Sequence, residues 1–265
     1  MRTGYLGPQG SYSYLASKIM TSESEFIPFD SFPKLMHALC RGEVDCTVIP
    51  IENTLNGGVL QNIDLLQSAE NVFADSECVI KIEHRLAVKS GADLKNIKRI
   101  YSHRQALEQC SGYLFKNFPD ACLHEAVSTS KSLEMIKTEE DAGIVGAHTY
   151  KEGITLLDGD VSDSKDNFTH FLRLVRGVPS ENKRTEKIYF SVTCPNRSGG
   201  LLSLLQKIAR HGLNMTKIES RPVKERLNEF RFFIEAEGDY SQSSVRLALS
   251  DVEKESASFK LLGAY

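Results

Sequence analysis

The stretch Thr3-Gly4-Tyr5-Leu6-Gly7-Pro8-Gln9-Gly10-Ser11 decides the reading of the first half of the chain. A short apolar run ends in a Gly/Pro-rich turn, and the turn opens into a helical pattern that runs through Met20. That is a strand feeding a helix. The unit then recurs. Residues 26–29 predict a second strand and 31–40 a helix; residues 45–50 predict a third strand. A helix follows that carries Leu55, Val59, Ile63 and Leu66 on one face, spaced by three or four. Alternation of this kind implies a parallel sheet covered by helices.

The pattern restarts after an extended apolar crossing over 76–89. Residues 97–102 predict a strand, and a helix from Arg104 carries Leu107, Cys110, Leu114 and Phe118. Another strand is expected over 121–127, a helix over 128–138, a buried strand over 142–146 and a returning strand over 154–157. Two α/β lobes joined by crossing segments enclose a cleft, a common setting for small-ligand capture. The first lobe is expected over about 1–78 and 158–178, and the second over about 79–157.

Residues 177–186 are polar and read as a linker, after which the character of the chain changes. Ile188, Phe190, Val192 and Cys194 alternate as a half-buried strand, and Leu201, Leu204, Leu205 and Ile208 form a helical stripe. An extended run over 214–223, a second alternating strand from Phe230, a helix with Val245, Ala248, Leu249 and Val252, and a last strand over 259–264 complete the tail. The order βαββαβ is the ferredoxin-like split motif, so 186–265 is a second, α+β domain behind an α/β domain over 1–178.

Composition narrows the function. The 265 residues are 41% hydrophobic and 25% charged, with 32 basic against 35 acidic side chains interspersed for a net charge of −3. That distribution argues against a nucleic-acid partner. No apolar stretch approaches the roughly 20 residues needed to span a bilayer, so neither membrane nor leader is expected and a cytoplasmic location is. The cysteines, Cys40, Cys46, Cys78, Cys110, Cys122 and Cys194, form no C-x-x-C pair and read as reduced thiols. His103 with His124, or His37 with Cys40, match no zinc spacing, so no metal is expected. The Gly7 loop lacks both the Walker Lys and a dinucleotide fingerprint, so no cofactor is expected.

Four turns between presumed strands and helices carry small polar residues: 7–11, Glu52-Asn53-Thr54, Ser102-His103-Arg104-Gln105 and Ser128-Thr129-Ser130. Singly each is an ordinary helix cap. Together, at the ends of parallel strands, they would line one cleft with N–H groups and hydroxyls suited to carboxylates. A fifth polar knot, Asp166-Asn167-Phe168-Thr169-His170-Phe171, runs into an apolar strand. A Thr at a strand end is ordinarily a turn or packing residue, and strict alternation points Thr169 and His170 to opposite faces.

These segments resemble the prephenate dehydratase family along nearly the whole chain. The motifs are 6–13, 48–54 followed by Gly57-Gly58-Val59, Ser102 through Cys110, and Asn167-x-Thr169-His170-Phe171 in the place of the family's Asn-x-Thr-Arg-Phe. In the tail, Gly199-Gly200-Leu201-Leu202 and Glu219-Ser220-Arg221-Pro222 resemble the two phenylalanine-binding motifs of the ACT regulatory domain. The resemblance implies a two-lobed catalytic domain like the periplasmic binding proteins, with a central cleft, followed by an ACT domain. It implies a lyase that converts prephenate to phenylpyruvate, under allosteric control by L-phenylalanine, in a homodimer or homotetramer. Thr169, Asn167 and His170 would be the catalytic residues: Thr169 would act on the leaving hydroxyl, Asn167 would supply a donor for the carboxylates or hold a loop, and His170 would take the place of the family's Arg, either on the substrate or as a brace. Ser11, Glu52, Asn53, Thr54, Ser102 and Gln105 would bind substrate or hold the loops, Glu52 as a structural hydrogen-bonding group. His170 stands where the family has Arg, and Arg104 stands where it has Pro. His170→Arg is accordingly expected to raise kcat/KM, unless Arg104 supplies the missing charge. Two alternatives share the same outline: an arogenate dehydratase, and an intracellular amino-acid sensor without turnover.

Overall fold

The computed structural model describes residues 1–194, 197–223 and 229–265. In chain order the first elements are β1 (Arg2–Leu6), α1 (Tyr12–Met20), β2 (Glu25–Phe29), α2 (Phe32–Arg41), β3 (Cys46–Asn53), β4 (Gly57–Gly58), α3 (Leu60–Ser68), β5 (Val72–Lys81) and β6 (His84–Lys89). The middle of the chain adds β7 (Arg99–Ser102), α4 (Arg104–Gln109), α5 (Ser111–Asn117), β8 (Cys122–Glu125), α6 (Ser132–Met135), β9 (Asp141–Gly146), β10 (Ile154–Leu156) and β11 (Phe168–Arg176). The tail is β12 (Lys187–Thr193), α7 (Gly200–Arg210), β13 (Met215–Pro222), β14 (Phe230–Glu237), α8 (Ser243–Glu255) and β15 (Ser258–Ala264). No helix among the described residues is long and apolar enough to cross a membrane.

Contacts divide the chain into two compact units interleaved in sequence: Met1–Leu35, Val48–Val59 and Cys78–Phe171 form one, and Met36–Thr47, Leu60–Glu77 and Leu172–Tyr265 the other. The first unit holds most of the strand–helix alternation of the first half, while Met36–Thr47, Leu60–Glu77 and the chain from Leu172 on belong to the second unit. The strands of the first unit lie in the order β11-β3-β1-β2 in one sheet and β10-β6-β9-β7-β8 in another. β1 pairs parallel with β2, and β7 parallel with both β8 and β9, while β6 pairs antiparallel with β9 and β10. Leu86, Ile100, Ala142 and Ile144 are fully buried under Leu107 of α4, Leu114 of α5 and Cys110 between the two helices. Ala16, Val48, Ile80, Ile82 and Phe171 form a second cluster, so the apolar positions of the predicted strands are the core positions.

Three sequence-based expectations for this unit are corrected. Leu55 and Val59 do not belong to the helix, which starts at Leu60. The Asn53 carboxamide oxygen accepts the Leu55 and Asn56 N–H groups, and Gly57 takes φ +74°, so the chain turns into the β3–β4 hairpin instead. The helix expected from Arg104 to Phe118 is broken at Cys110, because the Asp163 carboxylate accepts the Gly112 and Tyr113 N–H groups and caps a new start. The helix expected over 128–138 shrinks to Ser132–Met135. Ser128 and Thr129 satisfy a tight turn before it, and the Asp141 carboxylate takes the Lys137 and Thr138 N–H groups after it.

The second unit contains the βαββαβ tail, with strand order β13-β14-β12-β15-β5-β11. Ile188, Phe190, Val192, Leu204, Ile208, Ile234, Ala236 and Val252 pack between sheet and helices as the alternation predicts. Gly263 of β15 pairs with Ala74 of β5, where a Cβ would meet the Ala74 Cβ at 2.8 Å. The Lys260 ammonium donates to the Leu66, Gln67 and Ala69 carbonyls at 2.9, 2.8 and 2.5 Å, closing the C-terminal end of α3.

Candidate active site

All four polar turns line one cleft of about 410 Å³ in the first unit. The first gives Gly7, Pro8 and Ser11, the second Asn53, the third His103 and Gln105, and the fourth Ser128, Thr129 and Ser130. Asn167 and Thr169 of the polar knot enter from the start of β11. Leu6, Phe32, Pro50, Val59, Ile82 and Phe171 supply apolar wall. A volume of this size suits a small ligand with one ring. Among the described residues that line the cleft, none is Lys, Arg, Asp or Glu.

The polar groups are wired together. The Asn53 amide nitrogen donates to the Asn167 carboxamide oxygen at 2.7 Å, to the Thr169 hydroxyl oxygen at 3.0 Å and to the Phe168 carbonyl at 3.1 Å. Its oxygen is held by the Leu55 and Asn56 N–H groups, so the backbone fixes which end of the carboxamide faces Thr169. Asn167, fully buried, donates its own NH₂ to the Gln109 carboxamide oxygen at 3.1 Å. Because the Thr169 oxygen accepts from Asn53, its own proton is left to point elsewhere, and the side chain lies on the cleft wall. The arrangement makes Thr169 a hydrogen-bond donor to whatever occupies the cleft.

Ser11 caps α1: its hydroxyl accepts from the Tyr14 N–H at 3.2 Å and donates to the Leu6 carbonyl at 2.9 Å. It thereby presents the positive end of a nine-residue helix. Gln105 lies exposed on the lining, its N–H capped by the His103 ring. Thr54, Ser102, Glu52 and His170 do not line the cleft. Thr54 accepts from the Phe168 N–H and donates to the Asp166 carbonyl, stitching the hairpin to the polar knot. Ser102 is fully buried and donates to the Ile144 carbonyl at 2.6 Å. Glu52 pairs with Gly58 in the hairpin. His170 takes the face of β11 opposite Thr169, as strand alternation requires. Arg104 does not supply the missing charge: it is exposed and bonded to Glu108 at 2.9 Å, one helical turn on.

The lining also includes Gln109, His84 and Tyr12, which the sequence does not mark as site residues. Gln109 follows Gln105 by four positions on α4, so both share the face turned to the cleft, and that spacing is a readable signal. His84, at the start of β6, is a lone imidazole whose placement only the fold reveals. Tyr12 both donates to and accepts from the Glu83 backbone, and burial pushes its phenol up to about 12. It is a neutral wall residue. Burial likewise pushes His84 below the ordinary imidazole value.

In the second unit, Gly199 takes φ +79° just before α7, which opens with Gly200, Leu201 and Leu202. Glu219, Ser220, Arg221 and Pro222 end β13, the outermost strand in the order above. The Arg221 guanidinium donates to the Asp64 carboxylate of α3 at 2.5 Å.

The prephenate dehydratase family profile matches residues 3–178, and that of the ACT domain matches 188–252. The bifunctional chorismate mutase/prephenate dehydratase of Aquifex aeolicus (strain VF5) is 31% identical over 270 residues, covering 100% of this chain and 73% of that protein. The prephenate dehydratase of Bacillus subtilis (strain 168) is 30% identical over 285 residues, covering 100% of this chain and 98% of that one. Among solved structures, the prephenate dehydratase of Arthrobacter aurescens in complex with L-Phe superposes with a TM-score of 0.89 at 28% identity, over 100% of this chain and 90% of that one. With the cleft and the tail matched in one chain, the protein belongs to the prephenate dehydratase family, with an ACT domain at its C-terminal end.

Proposed function

We propose that the cleft converts prephenate to phenylpyruvate, and that the observation carrying this is Thr169, held by Asn53 so that its proton faces a cleft with no Lys, Arg, Asp or Glu among its described lining residues. In the reaction the ring carbon–carboxylate bond breaks and CO₂ leaves. Its electron pair enters the ring, the bond to the ring hydroxyl breaks, and the departing hydroxide is neutralised to water by a proton from solvent. Aromatisation supplies the driving force, so no covalent intermediate is required. The protein must hold two carboxylates, assist the leaving hydroxyl and exclude water. Thr169 donates to that hydroxyl. A neutral Thr is a weak acid, so it polarises and orients rather than transferring its proton outright. The capped start of α1 and the Ser128–Ser130 turn offer N–H groups to the carboxylates in place of a guanidinium.

The same lining favours prephenate over arogenate. Arogenate carries an ammonium where prephenate has a keto group, and a buried ammonium needs a carboxylate partner. None of the described lining residues offers one. Side-by-side turnover of the two substrates tests this: a preference of about tenfold or more for arogenate would overturn it.

The catalytic part is residues 1–178, with lobes over about 1–78 and 158–178 and over about 79–157, and residues 186–265 are regulatory. L-phenylalanine is the effector, bound by Gly199–Leu202 and Glu219–Pro222, and it favours a less active arrangement with a coupling of about 1–3 kcal/mol. The L-Phe complex of the Arthrobacter protein supports this reading. The chain works as a homodimer or homotetramer in the cytoplasm. Exposed Leu202, Ile218, Phe230 and Leu247 on the tail support self-association. Light scattering with and without L-phenylalanine measures the assembly, and a monomer in both would refute it.

A further inference from the structure

The geometry points to His84 as a positioning residue that locks the Gln109 carboxamide so that its NH₂ serves the cleft as a donor; this rests on the prephenate reading above. His84 is 4% exposed, lines the cleft, and is anchored through its backbone N–H to the Asp160 carboxylate at 3.1 Å. Its Nε2 stands 3.0 Å from the Gln109 Oε1, and that oxygen already accepts from Asn167 at 3.1 Å. An amide oxygen facing the ring makes Nε2 the protonated nitrogen. The other nitrogen agrees, since Nδ1 is buried with no hydrogen-bond partner among the described residues. A proton there would be a buried donor with no acceptor, which costs more than leaving the lone pair bare.

Two donors thus converge on one oxygen from different directions. Asn167, whose polarity descends from the backbone through Asn53, decides which end of the Gln109 amide faces inward. A single bond to Oε1 leaves the amide plane free to turn. The second bond, from His84, fixes the plane. Gln109 Nε2 then faces the other way, and it makes no hydrogen bond among the described residues although it is not buried. Gln109 is a lining residue, so two oriented N–H donors are directed at the ligand space. With no Lys or Arg among the described lining residues, oriented amide donors join the backbone N–H groups and hydroxyls in meeting a carboxylate or a departing hydroxyl.

The test compares His84→Leu, which removes the ring donor at similar volume, with His84→Gln, whose amide places a donor near the Nε2 position. Steady-state kinetics on prephenate and thermal melts are run on both and on the wild type. His84→Leu is expected to lose about 10–100-fold in kcat/KM, a part of the roughly 10²–10³ that one positioned donor supplies. His84→Gln is expected to stay within about fivefold of wild type, because the donor and not the ring is what matters. A purely structural role would instead lower activity and melting temperature together in both variants. Kinetics of His84→Leu within about twofold of wild type, or a His84→Gln as impaired as the Leu variant, would overturn the assignment. Ring ¹⁵N NMR of the wild-type protein decides the matter even where His84→Leu does not fold: Nε2 protonated with bare Nδ1 is expected, and the reverse tautomer refutes it. A wild-type protein that does not turn prephenate over sinks the functional reading, while the tautomer still tests the orientation of Gln109.

Discussion

Replacing the Asn53 amide nitrogen by an oxygen, Asn53→Asp, should cost most of the activity while leaving the hairpin intact. The retained oxygen still accepts the Leu55 and Asn56 N–H groups, so the turn keeps its support. The new oxygen stands where NH₂ donated to the Asn167 oxygen at 2.7 Å, the Thr169 oxygen at 3.0 Å and the Phe168 carbonyl at 3.1 Å. An ionised carboxylate is acceptor-only, so it meets three acceptors. Thr169 can relieve one clash by turning its proton toward the new oxygen, which removes that proton from the leaving hydroxyl. Loss of one positioned donor is worth about 10²–10³ in kcat, or about 3–4 kcal/mol. The added charge also repels a dianionic substrate, so KM should rise. Thr169→Val deletes the hydroxyl alone and should show the fall in kcat without the rise in KM. Burial raises a carboxyl pKa, and a protonated carboxyl at this position regains a donor, so Asn53→Asp should recover activity as pH falls. The assay is initial-rate phenylpyruvate formation across pH, with circular dichroism as a check on folding. A folded Asn53→Asp variant with kcat within about tenfold of wild type would refute the reasoning that Asn53 aims Thr169.

Other perturbations follow from the same geometry. Burial alone would raise the Asp141 carboxyl, but the Arg99 guanidinium, the Thr138 N–H and hydroxyl and the Lys137 N–H bring it down to about 2. A folded pKa below the unfolded value gives stability that is present above about pH 4 and is lost as pH falls toward 2, worth roughly 2 kcal/mol. Denaturant melts from about pH 5 to about pH 2 should show that loss in the wild type and a shallower one in Asp141→Asn. Gly263→Ala would put a Cβ 2.8 Å from the Ala74 Cβ and 3.0 Å from its carbonyl oxygen. It should cost about 1–3 kcal/mol and lower Tm by several degrees, and an unchanged melt would mean that β15 and β5 separate without penalty. His170→Arg should leave kcat/KM within about threefold of wild type, because the side chain takes the far face of β11. A rise of about tenfold would place that position within reach of the substrate.

Much of this is legible in the sequence because periodicity and burial coincide. The strands around Tyr5, Val48, Ile100 and Ile144, and the alternating Ile188, Phe190 and Val192, are core in the structure where the pattern places them. The four polar turns are readable as small polar segments after strands and they converge on one cleft, although the Asn53 turn closes the β3–β4 hairpin and does not cap a helix. What is not legible depends on contacts distant in sequence. The break at Cys110 comes from Asp163, some fifty residues on, whose carboxylate caps Gly112 and Tyr113. The false helix start at Leu55 and Val59 reflects a spacing that fits a helix, overridden by the Asn53 side chain bonding its own backbone. Thr54 and Ser102 are hydroxyls in the right motifs that brace the loops and do not line the cleft. His84 carries no local signal: it reaches Gln109 only because β6 and α4 come together in the fold.

The most direct test of the account is the formation of phenylpyruvate from prephenate by the purified protein near neutral pH, measured with and without L-phenylalanine. The account predicts turnover with wild-type Thr169, a loss of about 10²–10³ in Thr169→Val, and suppression by L-phenylalanine. A folded wild-type protein that binds L-phenylalanine but releases no phenylpyruvate from prephenate would contradict it.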